Sequence, residues 1–84
     1  MHFTVGSYWF YYNALSPSVR AIADKAYALL QSNPAHPSLQ FKPVGKFWSV
    51  RVTQNYRALA VKKPDGYYWF WIGTHAEYDR LLTQ

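Results

Sequence analysis

The chain has no cysteine, one methionine and only four carboxylates. Without cysteine there is no disulfide staple and no thiolate zinc site, which fits a reducing compartment. Its longest apolar run, Tyr67–Ile72, is far short of the roughly 20 residues that span a bilayer. The N-terminus, Met1-His-Phe-Thr-Val, lacks the basic-then-apolar pattern of a secretory signal. A soluble intracellular protein with no membrane partner is the expectation. The three histidines, His2, His36 and His75, are scattered, with no carboxylate or thiol at ligand spacing, so no metal and no cofactor is expected. There is no Gly-rich phosphate loop, Ser-His-Asp arrangement, internal repeat, low-complexity tract or linker.

What is present is aromatic and basic. The 84 residues read as one domain, 1–84, short enough to bury only a little over roughly 60% of its unfolded surface. Eight tyrosines, five phenylalanines and four tryptophans supply the core, each burying about 150–250 Å². Nine Lys/Arg against four Asp/Glu give a net charge of +5. That balance favours an acidic partner, whether RNA, DNA, a ribosome or an acidic protein; a merely solubilising surface is the plainer reading.

Met1–Val5 alternates loosely, as a short edge strand would. In Ser7–Leu15 the aromatics favour a strand, but Trp9, Tyr12 and Leu15 recur at helical spacing, and a short helix is expected. Ser16-Pro17 is an N-cap followed by a first-turn proline. Val19, Ile22, Ala23, Ala26 and Leu30 then form one apolar stripe, with Arg20, Asp24 and Lys25 off it, and Asn33-Pro34 ends the helix. The two helices make a hairpin. Leu39–Val44 alternates like an edge strand, where Pro43 is tolerable.

The central stretch is Phe47–Val61, two strands joined near Gln54-Asn55. Trp48, Val50 and Val52 share one face, and Phe47, Ser49, Arg51 and Thr53 the other. A three-residue loop, Thr53–Asn55, places Arg51 opposite Arg57 and gathers Trp48, Val50, Val52, Tyr56, Ala58 and Ala60 under the helices; a two-residue loop puts the arginines on opposite faces. The longer loop is preferred. Like charges directly opposite are destabilising, so the pair points to an anion site. Lys63-Pro-Asp-Gly66 is a turn. The all-apolar run Tyr67–Ile72 reads as a strand covered on both sides and central in the sheet, and Ala76–Leu82 as a short helix. The class is α+β: an N-terminal α-helical hairpin packed on a small antiparallel β-sheet, with a short C-terminal helix.

This order, with "SVRVTQNYRALAV" followed by "WFWIGTHAEYDRLL" and preceded by "NPAHPSLQFK", resembles the RelE/ParE toxin superfamily of bacterial type II toxin–antitoxin modules over nearly the whole chain. The resemblance implies a RelE-like fold, similar to microbial ribonucleases, in the bacterial cytoplasm. RelE-like members cut mRNA in the ribosomal decoding site; ParE-like members poison DNA gyrase; both are silenced by an antitoxin, here expected to be small and acidic. Arg57 falls on the arginine of the family's "YR" strand, which contacts the scissile phosphate. Arg51 falls near a basic position of the preceding strand. His75 and Tyr78 lie where nuclease members place acid/base or orienting residues. Lys42 and Lys46, with Arg51, are the expected RNA contacts. Two positions depart from the pattern: Ser49 stands near where some members carry a lysine, and a later arginine is missing, with His75 in its neighbourhood.

These residue types suit cleavage by internal transfer. Arginine stays charged and its fork matches two phosphate oxygens. Histidine titrates near neutrality, at about 6.5, and suits proton transfer. If helical from His75 onward, His75 and Tyr78 share a face, and the tyrosine either stacks on a base or orients the histidine. Structural readings stand beside these: Arg57 as an ion-pair partner of Glu77 or Asp79, His75 as a loop cap, Tyr78 as core. The leading expectation is a metal-independent, ribosome-dependent mRNA endonuclease acting with ribosome, mRNA and antitoxin as partners. The alternatives are a ParE-like gyrase poison and an inactive orphan module that binds RNA or protein.

Overall fold

Residues 1–83 of the chain are described by a computed structural model. Strand β1 (His2–Thr4) leads into helix α1 (Gly6–Asn13) and helix α2 (Pro17–Ser32). A 3-10 turn at Pro37–Leu39 precedes β2 (Lys42–Val44), β3 (Phe47–Thr53), β4 (Tyr56–Lys63), β5 (Gly66–Thr74) and helix α3 (His75–Leu82). The sheet order is β1-β5-β4-β3-β2. All pairs are antiparallel except β1 with β5, which is parallel. The fold is the α+β arrangement expected, with one parallel edge added to the antiparallel sheet.

The helical hairpin packs on one sheet face. Ser16 Oγ accepts from the Val19 N–H, and Pro17 occupies the first turn of α2; together they satisfy and pre-set the helix start. Ala23 and Leu30 of α2 and Tyr8 of α1 are buried with Val50, Ala58, Trp69 and Ile72. Two side chains depart from the expected stripes. Trp9 and Ile22 are 44% and 43% exposed; α1 buries Tyr8 in place of Trp9, while Tyr12 and Leu15 pack against the core as expected. The Trp9 indole N–H is tied to the Thr4 hydroxyl at 3.1 Å.

The strand expected over Leu39–Val44 is shorter than its alternation implies. The His36 ring accepts from the Ser38 N–H at 3.2 Å and caps a 3-10 turn that Pro37 opens. Leu39 reaches the core from that turn, and Gln40 takes a left-handed φ of 46° before β2 begins. Pro43 then sits on an edge strand, where its missing N–H breaks no ladder.

The β3–β4 connection combines the two expected alternatives. Arg51 pairs with Arg57, yet Thr53 pairs with Tyr56 across a two-residue turn. The register shifts between Arg51 and Thr53, so Val52 is an extra residue on β3. A bulge of this kind absorbs one residue and restores the facing that the longer loop would have produced.

A second shift lies between Leu59 and Ala60, which pair with Trp71 and Trp69. Phe70 is the extra residue, and Ser7 Oγ donates to its carbonyl at 2.8 Å. Without the bulge Trp69 and Trp71 would share a face. With it, Trp69 enters the helix-side core and Trp71 a second core of Leu59 and Tyr78 under α3. Strand β5 is thus covered on both sides as its composition predicts, but the middle position belongs to β4. Strand β1 returns to add an edge beyond β5, which makes β5 an inner strand beside the middle one. Its approach needs a glycine: at Gly66, with φ 151°, a Cβ would lie 2.2 Å from the Met1 carbonyl oxygen. Among the described residues no helix is long and apolar enough to cross a membrane.

Candidate functional site

The face of the sheet opposite the hairpin is only partly covered. Helix α3 has eight residues and seals Leu59 and Trp71 with Tyr78. Beside it lies a cleft of about 310 Å³, lined by Lys42, Ser49, Arg51 and Arg57 from the strands. His75, Tyr78 and Asp79 of α3, with Gln40, close its other side. Two cross-strand rows make its floor: Lys42 opposite Ser49, and Arg51 opposite Arg57. Three cations thus converge with one carboxylate.

The strand pairing and the turn hold Arg57. Its Nη1 donates to the Thr53, Tyr56 and Gln54 carbonyls at 2.6, 2.9 and 3.3 Å. Its Nε and Nη2 have no partner among the described residues. Burial, and then the neighbouring Arg51 charge, pull the guanidinium below its ordinary pKa, while Tyr78 and Asp79 act the other way. Arginine remains charged through such a shift. Arg51 makes no hydrogen bond or ion pair among the described residues. Asp79 is the one carboxylate lining the cleft, and it is engaged by His75; the two like charges side by side repel each other, and an anion between them would relieve that repulsion.

His75 is placed by its backbone and oriented by its ring. Its N–H donates to the Asn55 carbonyl at 2.7 Å, pinning the start of α3 to the β3–β4 turn beside Arg57. A capping box fixes the same helix end: the Glu77 N–H donates to Thr74 Oγ1 at 3.2 Å, and the Thr74 N–H and hydroxyl both donate to Glu77 Oε1. Those bonds hold the Glu77 carboxyl below its usual range. The His75 Nδ1 meets Asp79 Oδ2 at 3.1 Å, one helical turn on, and Nε2 has no partner among the described residues. The ring also sits edge-on to Tyr78, with centroids 5.5 Å apart.

Five of the six residues singled out from the sequence therefore line one cleft: Arg51, Arg57, His75, Tyr78 and Lys42. Lys46 lies apart, at the β2–β3 turn, with its ammonium 5.4 Å from the Phe47 ring centroid. It is not among the residues that line the cleft, whose nearest row on β3, Lys42 with Ser49, lies just beyond that turn. Tyr78 is 8% exposed, so its ring has no open face for a base and its geometry is that of a seat for His75. An ion pair from Arg57 to Glu77 or Asp79 is not formed: Glu77 caps α3 and Asp79 holds His75. Sequence reasoning misses three lining residues. Asp79 is signalled by its i, i+4 spacing from His75, and Ser49 by its facing with Arg51; Gln40 carries no signal. Among the described residues no three His, Cys, Asp or Glu side chains gather as metal ligands would.

Comparison with known proteins places the chain in a family. No curated protein matches the chain. In structure it is similar to a chain in the RelB–RelE antitoxin–toxin complex of Methanococcus jannaschii, with a TM-score of 0.70 and 12% identity over 93% of this chain and 96% of that one. At that identity the likeness speaks for the fold. The model of the ParE-like toxin domain matches residues 17–80, from the first turn of α2 to the last turn of α3. With the match spanning most of the sequence and the fold agreeing, the chain belongs to the ParE-like toxin domain family, within the RelE/ParE superfamily.

Proposed function

We propose that the protein is the toxin of a toxin–antitoxin pair and acts as a ribosome-dependent mRNA endonuclease, working in the cytoplasm where ribosomes and mRNA meet. The observation that carries the reading is the pairing of Arg51 with Arg57 in a cleft that also receives His75. The two guanidinium groups bind the non-bridging oxygens of the scissile phosphate. Nε2 of His75, left free by the Asp79 contact on Nδ1, takes the proton from the ribose 2′-OH. The 2′-oxygen attacks phosphorus and the bond to the 5′-oxygen breaks. That oxygen takes a proton from water, leaving a 2′,3′-cyclic phosphate and a 5′-hydroxyl end. Charge gathered on the phosphorane is where the arginines act, and preorganised donors of this kind are worth roughly 10²–10³ in rate each. Lys42 extends the cationic floor along the RNA backbone.

The matched structure holds a RelE toxin with its RelB antitoxin. By that likeness the partner here is an antitoxin, and the net charge of +5 suits an acidic one.

The test is primer extension on a reporter mRNA in a purified translation system with wild type, Arg57→Ala and His75→Ala. Cuts at ribosome-occupied codons, lost in both variants, are expected. Cuts that survive His75→Ala would remove the histidine from the mechanism. A second reading is favoured by the matching model itself, which is ParE-like: poisoning of DNA gyrase. Trapped gyrase–DNA complexes formed by folded protein that leaves mRNA intact would establish it instead.

A further inference from the structure

The cleft does not end at Arg51. The same side chain lines a second groove of about 300 Å³, between α2 and β3. The bulge at Val52 explains the sharing. In a regular strand Arg51 and Val52 point to opposite faces; here Arg51, Val52 and Thr53 all line the one groove. Arg51 is therefore the wall between the two hollows.

The second groove has the chemistry of a nucleotide site. One side is apolar, from Ile22 and Leu29 of α2 and Val52 of β3. Lys25 and Arg51 bring two cations, and among the described residues no carboxylate lines it. The acidic neighbour on α2, Asp24, accepts from the Tyr12 hydroxyl at 2.9 Å. The Ser38 and Thr53 side chains add hydroxyls able to meet a base edge. Ile22 is 43% exposed, an apolar surface facing open space beside two positive charges.

We propose that this α2–β3 groove binds a nucleotide next to the scissile one, with its phosphate on Lys25 and Arg51 and its base against Ile22, Leu29 and Val52. The inference rests on the nuclease reading above. It extends the site from a phosphate clamp to a strand-reading surface, in which Arg51 holds the backbone between two nucleotides. The groove then contributes to where the enzyme cuts, and Arg57 and His75 to whether it cuts.

The experiment maps cut sites in the purified translation system for Lys25→Glu and Ile22→Asp, with circular dichroism to verify folding. Both positions are exposed, so both variants should fold. Cutting at the preferred sites is expected to fall roughly ten-fold, the loss expected for one charge-assisted hydrogen bond, and the nucleotide preference beside the cut should flatten. An unchanged pattern and level overturns the proposal. So does a uniform fall at every site with the preference intact, which would assign these residues to ribosome docking. Wild-type cutting that antitoxin no longer silences would give the groove to an acidic protein segment. If wild-type protein cuts nothing, the nuclease reading itself has failed, and the groove proposal with it.

Discussion

The two faces of one sheet do different work. On the hairpin side, Val50 and Ala58 meet two helices, and among the described residues no charged side chain joins the core. On the α3 side, the same two strands present Arg51, Arg57 and Ser49 to a cleft that an eight-residue helix leaves open. Alternation is the cause where the strands are regular: Ser49 and Arg51 flank the core residue Val50 on β3, and Arg57 precedes the core residue Ala58 on β4. The lesson concerns area as much as polarity. A helix of eight residues is about 12 Å long, long enough to bury Leu59 and Trp71 and too short to cover the arginines.

That contrast can be broken or sharpened by substitution. The largest effect belongs to the hairpin side. Trp69→Ala removes the largest fully buried side chain and should cost about 3–5 kcal/mol by urea denaturation. A loss below about 1 kcal/mol would mean that the helix-side core is not what holds the sheet. Next comes the junction between the faces: Thr74→Ala deletes the capping box of α3 and should cost about 1 kcal/mol. His75 should become less ordered as well, seen as averaging of its ring resonances in NMR spectra.

On the cleft side the sign reverses. Arg51→Thr removes one of two opposed like charges and should raise stability by up to about 1 kcal/mol while lowering phosphate affinity. A destabilised variant that still binds phosphate would show that the pair is structural.

The smallest effect is a pH dependence outside the cleft. The His2 Nδ1 accepts from the Trp69 indole N–H at 3.1 Å, and its ring stacks on Tyr67. Burial, then the N-terminal ammonium, lowers its pKa from the ordinary 6.5. A histidine held neutral in the folded state contributes stability above about pH 6.5 that is lost as pH falls through the lower folded value. The melting temperature should therefore drop on acidification from about pH 7.5 to about 5, and less steeply in His2→Phe. Equal slopes would place the acid sensitivity elsewhere.

Much of this contrast is legible in the amino-acid sequence. The cap at Ser16-Pro17, the opposition of Arg51 to Arg57 and the shared face of His75 and Tyr78 follow from spacing and local rules. What is not legible is where spacing is interrupted. The bulges at Val52 and Phe70 leave no compositional mark, because an extra residue in a strand looks like any other residue. The first makes a two-residue turn behave as a longer loop; the second sends Trp69 and Trp71 to different cores. Leu39 alternates correctly with Phe41 yet belongs to a 3-10 turn, because His36 caps that turn with its ring. The place of β5 depends on a parallel partner from the other end of the sequence, which periodicity does not encode. Charge groups Lys46 with the cleft, but it sits in the β2–β3 turn over the Phe47 ring and does not line it.

The parallel edge also sets an order of assembly. Strands β2 to β5 form a meander of near neighbours, whereas the His2–Trp69 contact joins residues 67 apart in sequence. Closing so long a loop is entropically slower than zipping adjacent strands. On the ribosome, β1 must wait as a loose strand until β5 has emerged. Hairpins carrying the two arginines therefore precede the edge that completes the sheet, and the site's floor is laid down before the sheet is closed.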